Sequence, residues 1–246
     1  MCTVVILRRP GDPWPLLLAA NRDELADRPW RAPGRHWPDR PEVTAGLDVL
    51  AGGSWLGVND HGLVATVLNR VSTLGPLPGK RSRGELVLEA LDHADAAAAA
   101  RALADLDPRA YRPFNLVVAD AHDAVWLRHA GDGVVQLRPI PDGLSMLSAR
   151  ELNDPASPRL RRHLPRFLEA PPPDPVGDDW GAWEALLASR DGGEAGPTAA
   201  MAIVTEDGAF GTVCSHLVAL PASGRARFRF APGRPGEAAY APVSLA

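Results

Sequence analysis

Two apolar runs open the chain, residues 4–7 and 14–20, joined by Arg8-Arg9-Pro10-Gly11-Asp12-Pro13. A connector of six residues rich in Pro, Gly and Asp allows a reversal and no crossover helix. The two runs therefore form a hairpin, and the sheet they begin is antiparallel. A second pair, residues 54–58 and 63–68, flanks Asn59-Asp60-His61-Gly62 and reads as a second hairpin. Short strands follow at residues 115–119, 124–127 and 134–137, and the chain closes with strands at 202–204, 211–220 and 226–230.

Two helical blocks separate the strand blocks. Residues 82–106 repeat Ala and Leu at spacings of three and four, with a break at 92–95. Residues 157–168 read as a basic amphipathic helix that Pro165 should kink or end early, and residues 180–189 as another. The Pro- and Arg-rich stretch 25–50 reads as an irregular surface loop. Strands, helices, strands, helices, strands is the order of an α+β protein. With one helical block over each outer face it gives a four-layer α-β-β-α sandwich of two antiparallel sheets, one domain over residues 1–246.

A net charge of -4 over 246 residues argues against nucleic acid as a partner. No run approaches the ~20 apolar residues of a membrane span, and the first apolar run is too short for a signal peptide, so a cytoplasmic protein is expected. The two cysteines, Cys2 and Cys214, are too few for a disulfide framework or a thiolate zinc site. The seven histidines have no metal-ligand spacing and Gly52-Gly53 lacks a phosphate-loop context, so no metal and no cofactor are expected. Cys214 and His216 alternate on one strand and share a face; a core Cys beside a surface-edge His is the simpler reading, a metal or haem contact the sharper one.

Cys2 carries the clearest chemistry. Removal of Met1 would give it a free α-amine, with an ordinary pKa near ~8, able to act as base for its own thiol. The plain alternative is a small buried residue at a strand edge. Asn21, Arg22, Asp23 and Glu24 follow the second strand of the first hairpin, which returns the chain to Cys2. There Asp23 can position the amine or thiol, and Arg22 can lower the thiol pKa or anchor an acidic group. A solvated polar loop held by ion pairs is the alternative. Asn69, ending another strand, can donate its amide to a developing oxyanion or serve as an ordinary turn residue.

Taken together, Met1-Cys2-Thr3, Asn21-Arg22-Asp23-Glu24, Gly53-Ser54-Trp55-Leu56-Gly57, Leu68-Asn69-Arg70, Ser82-Arg83-Gly84-Glu85-Leu86, Pro113-Phe114-Asn115-Leu116 and Gly211-Thr212 resemble, in order, the NRDE family, also called the transport and Golgi organisation protein 2 family. Its N-terminal layout is similar to that of cysteine N-terminal-nucleophile hydrolases. The resemblance implies the four-layer sandwich and hydrolysis or acyl transfer at a non-peptide amide of a small-molecule substrate. It carries over Cys2 as nucleophile, Asp23 as its orienting carboxylate and Asn69 as oxyanion donor, with Asn21, Arg22, Glu24, Trp55, Arg70 and Arg83 as substrate contacts. Ala20, Ala149 and Val213 stand where the pattern has polar residues. The resemblance also allows a non-catalytic haem or lipid binding or trafficking protein on the same scaffold.

Overall fold

A computed structural model describes residues 2–245; Met1, and with it the expected processing step, lies outside the described residues. The first hairpin forms as expected. β1 (Thr3–Arg8) pairs antiparallel with β2 (Leu16–Leu25) in the register Val4↔Ala20 and Ile6↔Leu18. β2 runs five residues past the expected end at Ala20, so Asn21-Arg22-Asp23-Glu24 is strand and not the loop after it. The physical reason is a second partner. β11 (Phe210–Leu220) pairs along the other edge of β2 from Leu25 to Leu16 and satisfies the backbone of its polar half.

The stretch 25–50 is likewise not all loop. It contains β3 (Trp30–Gly34) and β4 (Val43–Asp48), which pair with each other, and β4 pairs with β5 (Leu56–Asn59). β6 (Val64–Asn69), β7 (Phe114–Ala119), β8 (Ala124–His129) and β9 (Gln136–Pro139) complete a seven-stranded antiparallel sheet in the order β3-β4-β5-β6-β7-β8-β9. The other sheet has the order β10-β1-β2-β11-β12-β13. It adds β10 (Gly143–Leu147), which the sequence reading did not resolve, β12 (Arg227–Ala231) and the short β13 (Ala241–Pro242).

Three apolar clusters define the layers. Val4, Leu18, Leu56, Val117 and Val218 meet between the two sheets. α1 (Gly84–Leu91) and α2 (Ala96–Ala104) cover the seven-stranded sheet through Leu86, Leu91, Ala99 and Leu103 against Ala65, Leu116 and Val118. α3 (Pro158–Glu169) and α4 (Gly181–Leu187) cover the six-stranded sheet through Leu160, Phe167, Trp183 and Leu187 against Val5, Leu17 and Ala19. The result is the expected four-layer sandwich. Among the described residues no helix is long and apolar enough to cross a membrane.

The break between α1 and α2 has a local cause. The Asn59 side chain donates to the carbonyls of Leu91 and His93 at 2.9 and 2.7 Å, and accepts from the backbone of His61 and Leu63. One turn residue thus closes the β5–β6 hairpin and caps the end of α1, while Asp95 caps α2 by accepting from Ala98. α3 runs through Pro165 to Glu169 instead of ending early. Proline costs a helix one hydrogen bond, but this helix buries Leu160, His163 and Phe167, with Phe167 edge-on to Trp183 at 5.5 Å.

That burial has a consequence for pH. His163 and His216 are both fully buried. Desolvation, helped by nearby arginines, lowers their pKa from 6.5 to about 4 and about 3 respectively. The unfolded chain therefore binds these protons more tightly than the folded chain. Stability that is whole above about pH 6.5 is lost as pH falls toward those values, at up to roughly 1.4 kcal/mol per pH unit for each histidine. His163→Phe is expected to flatten the stability curve by about one proton between pH 6 and 4, read from urea midpoints. An unchanged slope would show that His163 is not one of the groups responsible.

Candidate active site

Strand geometry decides what surrounds Cys2. Thr3 pairs with Asn21, so the next pair outward is Cys2 with Arg22, and directly opposed residues share a face. Cys2 and Arg22 thus face the space between the sheets. Thr3, Asn21 and Asp23 face the helices. A bulge in β11 preserves this division, because Thr212 pairs with Asp23 and Cys214 with Arg22, leaving Val213 as the extra residue.

Asp23 therefore meets the thiol through its backbone. Its N–H donates to Cys2 Sγ at 3.4 Å, and the thiol donates to its carbonyl at 3.6 Å. Its buried carboxylate accepts from Thr212 Oγ1 at 2.6 Å and from Arg159 Nη1 at 3.1 Å. Arg159, near the start of α3, also donates to Thr3 Oγ1 at 2.8 Å and to the carbonyl of Thr198. Ser148, just after β10, donates to the Cys2 carbonyl at 2.7 Å. The residues flanking Cys2 are thus fixed on both sides. Burial, and then the Asp23 carboxylate, raise the Cys2 thiol pKa above its ordinary value.

Cys2 lines a cavity of about 360 Å³. Of the residues expected at the site, Cys2, Arg22, Glu24, Trp55, Asn69 and Arg83 line it; Asn21, Asp23 and Arg70 do not. Asn21 is a structural residue of the outer face: its amide donates to the carbonyls of Leu187 and Met201, both at 3.0 Å, and its oxygen accepts from Ser215 at 2.7 Å. Arg70 turns toward β7 and binds Asn115 at 2.7 Å and Glu151 at 2.5 Å.

Two lining groups have donors to spare. Asn69 makes no side-chain hydrogen bond among the described residues. Arg22 is buried at 4% exposure, its Nη2 lies 3.6 Å from Glu24 and 3.8 Å from Asp48, and its Nη1 has no partner. Arg22 also lies over the Trp55 ring at 4.2 Å, and the Trp55 indole donates to His216 Nε2 at 3.1 Å. This Arg22–Trp55–His216 stack ties the cavity wall to the inter-sheet core. Cys214 and His216 are both completely buried in that core. Among the described residues no group of three or more His, Cys, Asp or Glu side chains is placed to hold a metal ion.

The glycines of Gly53-Ser54-Trp55-Leu56-Gly57 bring the second wall close. A Cβ on Gly53 would fall 2.4 Å from the backbone of Gly84, and one on Gly57 2.3 Å from Ala45. This contact seats the start of α1 on β5, with Ser54 N–H donating to Gly84 O at 2.9 Å, and so places Arg83 at the cavity. Arg159, Ser148, Arg112, Lys80 and His216 were not singled out for these positions by the sequence. Arg159 is one of four arginines between 159 and 166, and only the tertiary fold distinguishes it.

Two antiparallel sheets between helical layers, with a cysteine at the start of the first inner strand, define the fold class of N-terminal-nucleophile hydrolases. Solved structures agree on the fold. An N-acylethanolamine-hydrolyzing acid amidase ortholog of Caenorhabditis elegans superposes with a TM-score of 0.60 at 13% identity, covering 88% of this chain and 92% of that one. The C2A mutant of a conjugated bile acid hydrolase from Clostridium perfringens does so with a TM-score of 0.59 at 11% identity, covering 100% and 92%. The sequence profile of the Transport and Golgi organisation 2 family matches residues 1–171, and the chain belongs to that family. A Bos taurus protein, the Transport and Golgi organization protein 2 homolog, is 37% identical over 110 residues, 43% of this chain and 38% of its own length. The chain thus spans about two fifths of the length of the curated relatives it matches.

Proposed function

We propose that the chain hydrolyses an amide of a small molecule in the cytoplasm, with Cys2, made N-terminal by removal of Met1, as nucleophile. The observation that carries this reading is Cys2 lining a cavity whose wall also holds the uncommitted amide of Asn69 and the Arg22 side chain, with its buried, unpartnered Nη1 behind. A buried thiol with a raised pKa needs a base, and a freed α-amine would be attached to the same residue. In this scheme the amine takes the thiol proton and sulfur attacks the amide carbonyl. Asn69 and Arg22 stabilise the oxyanion. The C–N bond breaks, the leaving amine takes the proton, and water cleaves the acyl-thioester to release the acid. Asp23 acts on Cys2 through its backbone contacts and through Thr212 and Arg159, as a positioning residue.

The test compares purified protein with and without Met1, their masses checked, against a panel of neutral and charged N-acyl amides. Release of amine, with a transient acyl adduct on Cys2, is expected only from the processed form. Equal turnover by both forms would overturn the role of the α-amine, and no turnover by either would overturn the hydrolase reading. A second reading, a non-catalytic haem or lipid binding protein, draws on the apolar side chains beside the cavity, Leu50 at 68% and Leu77 at 46% exposure. Saturable binding of haem or lipid with no amine released would favour it.

A further inference from the structure

The cavity carries more positive charge than its own carboxylates balance. On one wall Arg22 and Arg28 face Glu24 and Asp48, two cations against two anions, with Arg28 at 2.8 Å from Asp48. Arg81 is paired with Glu85 at 2.6 Å and Glu89 at 3.2 Å. Arg83, Arg112 and Lys80 line the same cavity and have no carboxylate partner among the described residues.

Their contacts are all with neutral oxygens. Arg83 donates to Thr73 Oγ1 at 3.0 Å, Pro113 O at 3.1 Å and Gly75 O at 3.4 Å. Arg112 donates to Leu74 O at 2.7 Å, Gly75 O at 3.0 Å and Ser72 O at 3.1 Å. Lys80 donates to Arg109 O. The arginine bonds fasten the 72–76 loop, and none of these bonds brings a carboxylate into contact with the three cations. Arg83 is half-buried, and burial and the neighbouring charge of Arg112 lower its pKa to about 10, while Cys2 and Glu24 act the opposite way. Arg83 is therefore within electrostatic reach of both another cation and the thiol. An oxyanion would relieve such a site. Leu50 and Leu77, both exposed, line the same cavity.

We propose that Arg83, Arg112 and Lys80 form an oxyanion subsite, which takes the carboxylate or phosphate of an amphiphilic ligand whose apolar part lies along Leu50 and Leu77. The inference rests on the reading of this cavity as the substrate cavity, and it is tested without turnover. In a Cys2→Ala background, calorimetry would compare N-octanoylglycine, octyl phosphate and the neutral N-octanoylglycinamide. At least one anion is expected to bind about tenfold tighter than the neutral amide, and to weaken with added salt while the amide does not. The tighter anion identifies which oxyanion the subsite takes. Arg83→Gln should abolish most of the preference and Arg83→Lys retain most of it, with melting temperatures confirming folded variants. The salt series on the Cys2→Ala protein alone stands if either arginine variant fails to fold. Equal affinity for all three ligands, no binding of any, or a preference that survives Arg83→Gln would overturn the subsite. None of these outcomes touches the role of Cys2, which turnover by the unsubstituted protein reports separately.

Discussion

Cys2→Ala is expected to lower amide turnover by roughly 10⁴-fold or more and to abolish the acyl adduct, while leaving the melting temperature within a few degrees of the parent. The fold is insensitive because the hydrogen bonds of the thiol to the described residues are two long ones, 3.4 and 3.6 Å, both to the backbone of Asp23. The bond from Ser148 is to the Cys2 carbonyl and survives the change. Turnover is sensitive because no other cysteine can substitute. Cys214 is completely buried between the sheets, and desolvation holds its thiol protonated. Asn69→Ala should cost less, about 10²- to 10³-fold, since it would remove one oxyanion donor and leave Arg22. A Cys2→Ala protein that still turns over its substrate within tenfold of the parent would remove sulfur from the mechanism, whatever the Asn69 variant does.

The antiparallel class of the fold was legible because six-residue and four-residue connectors permit little except hairpins. The layer order followed from where the helical blocks fall. What the sequence could not display is long-range pairing. β2 continues through Asn21-Arg22-Asp23-Glu24 because β11, some 190 residues later, lies beside it, and nothing in residues 16–25 announces that partner. The same pairing divides the segment between two faces, which a loop reading cannot do. Arg22 goes to the cavity and Asp23 to the helices. The family resemblance named Cys2, Trp55, Asn69 and Arg83 for the site, and all of them line one cavity. Asn21 and Arg70 sit in equally conspicuous motifs and serve packing instead. Their amide and guanidinium groups are consumed by Leu187, Met201, Asn115 and Glu151. A polar residue in a motif is available for chemistry only when the fold places it at the cavity and leaves its charge or its hydrogen-bonding capacity unspent, and that is a property of tertiary neighbours.

Arg159→Met is expected to destabilise the protein by about 3 kcal/mol or more. The Asp23 side chain is 0% exposed and that of Arg159 5%, with nitrogen and oxygen 3.1 Å apart. Water cannot replace the lost hydrogen bond at such a depth, so the carboxylate is left with a weakened hydrogen-bond set. Thr212 remains as a donor at 2.6 Å, which limits the loss without cancelling the charge. The reciprocal change, Asp23→Asn, removes the carboxylate that Arg159 Nη1 meets at 3.1 Å, while its bonds to Thr3 and Thr198 remain. The double variant Asp23→Asn with Arg159→Met removes both charges and is expected to be more stable than either single variant, recovering about 1–3 kcal/mol. Urea unfolding of the four proteins closes the cycle. Strictly additive losses would mean that the pair contributes no coupling, and that α3 is held on the sheet by Leu160, Phe167 and Trp183 alone. A positive coupling would mean that the ion pair joins the two strands beside Cys2 to the helical layer. In that case the same variants should also slow turnover, because Asp23 N–H would no longer be held against the sulfur.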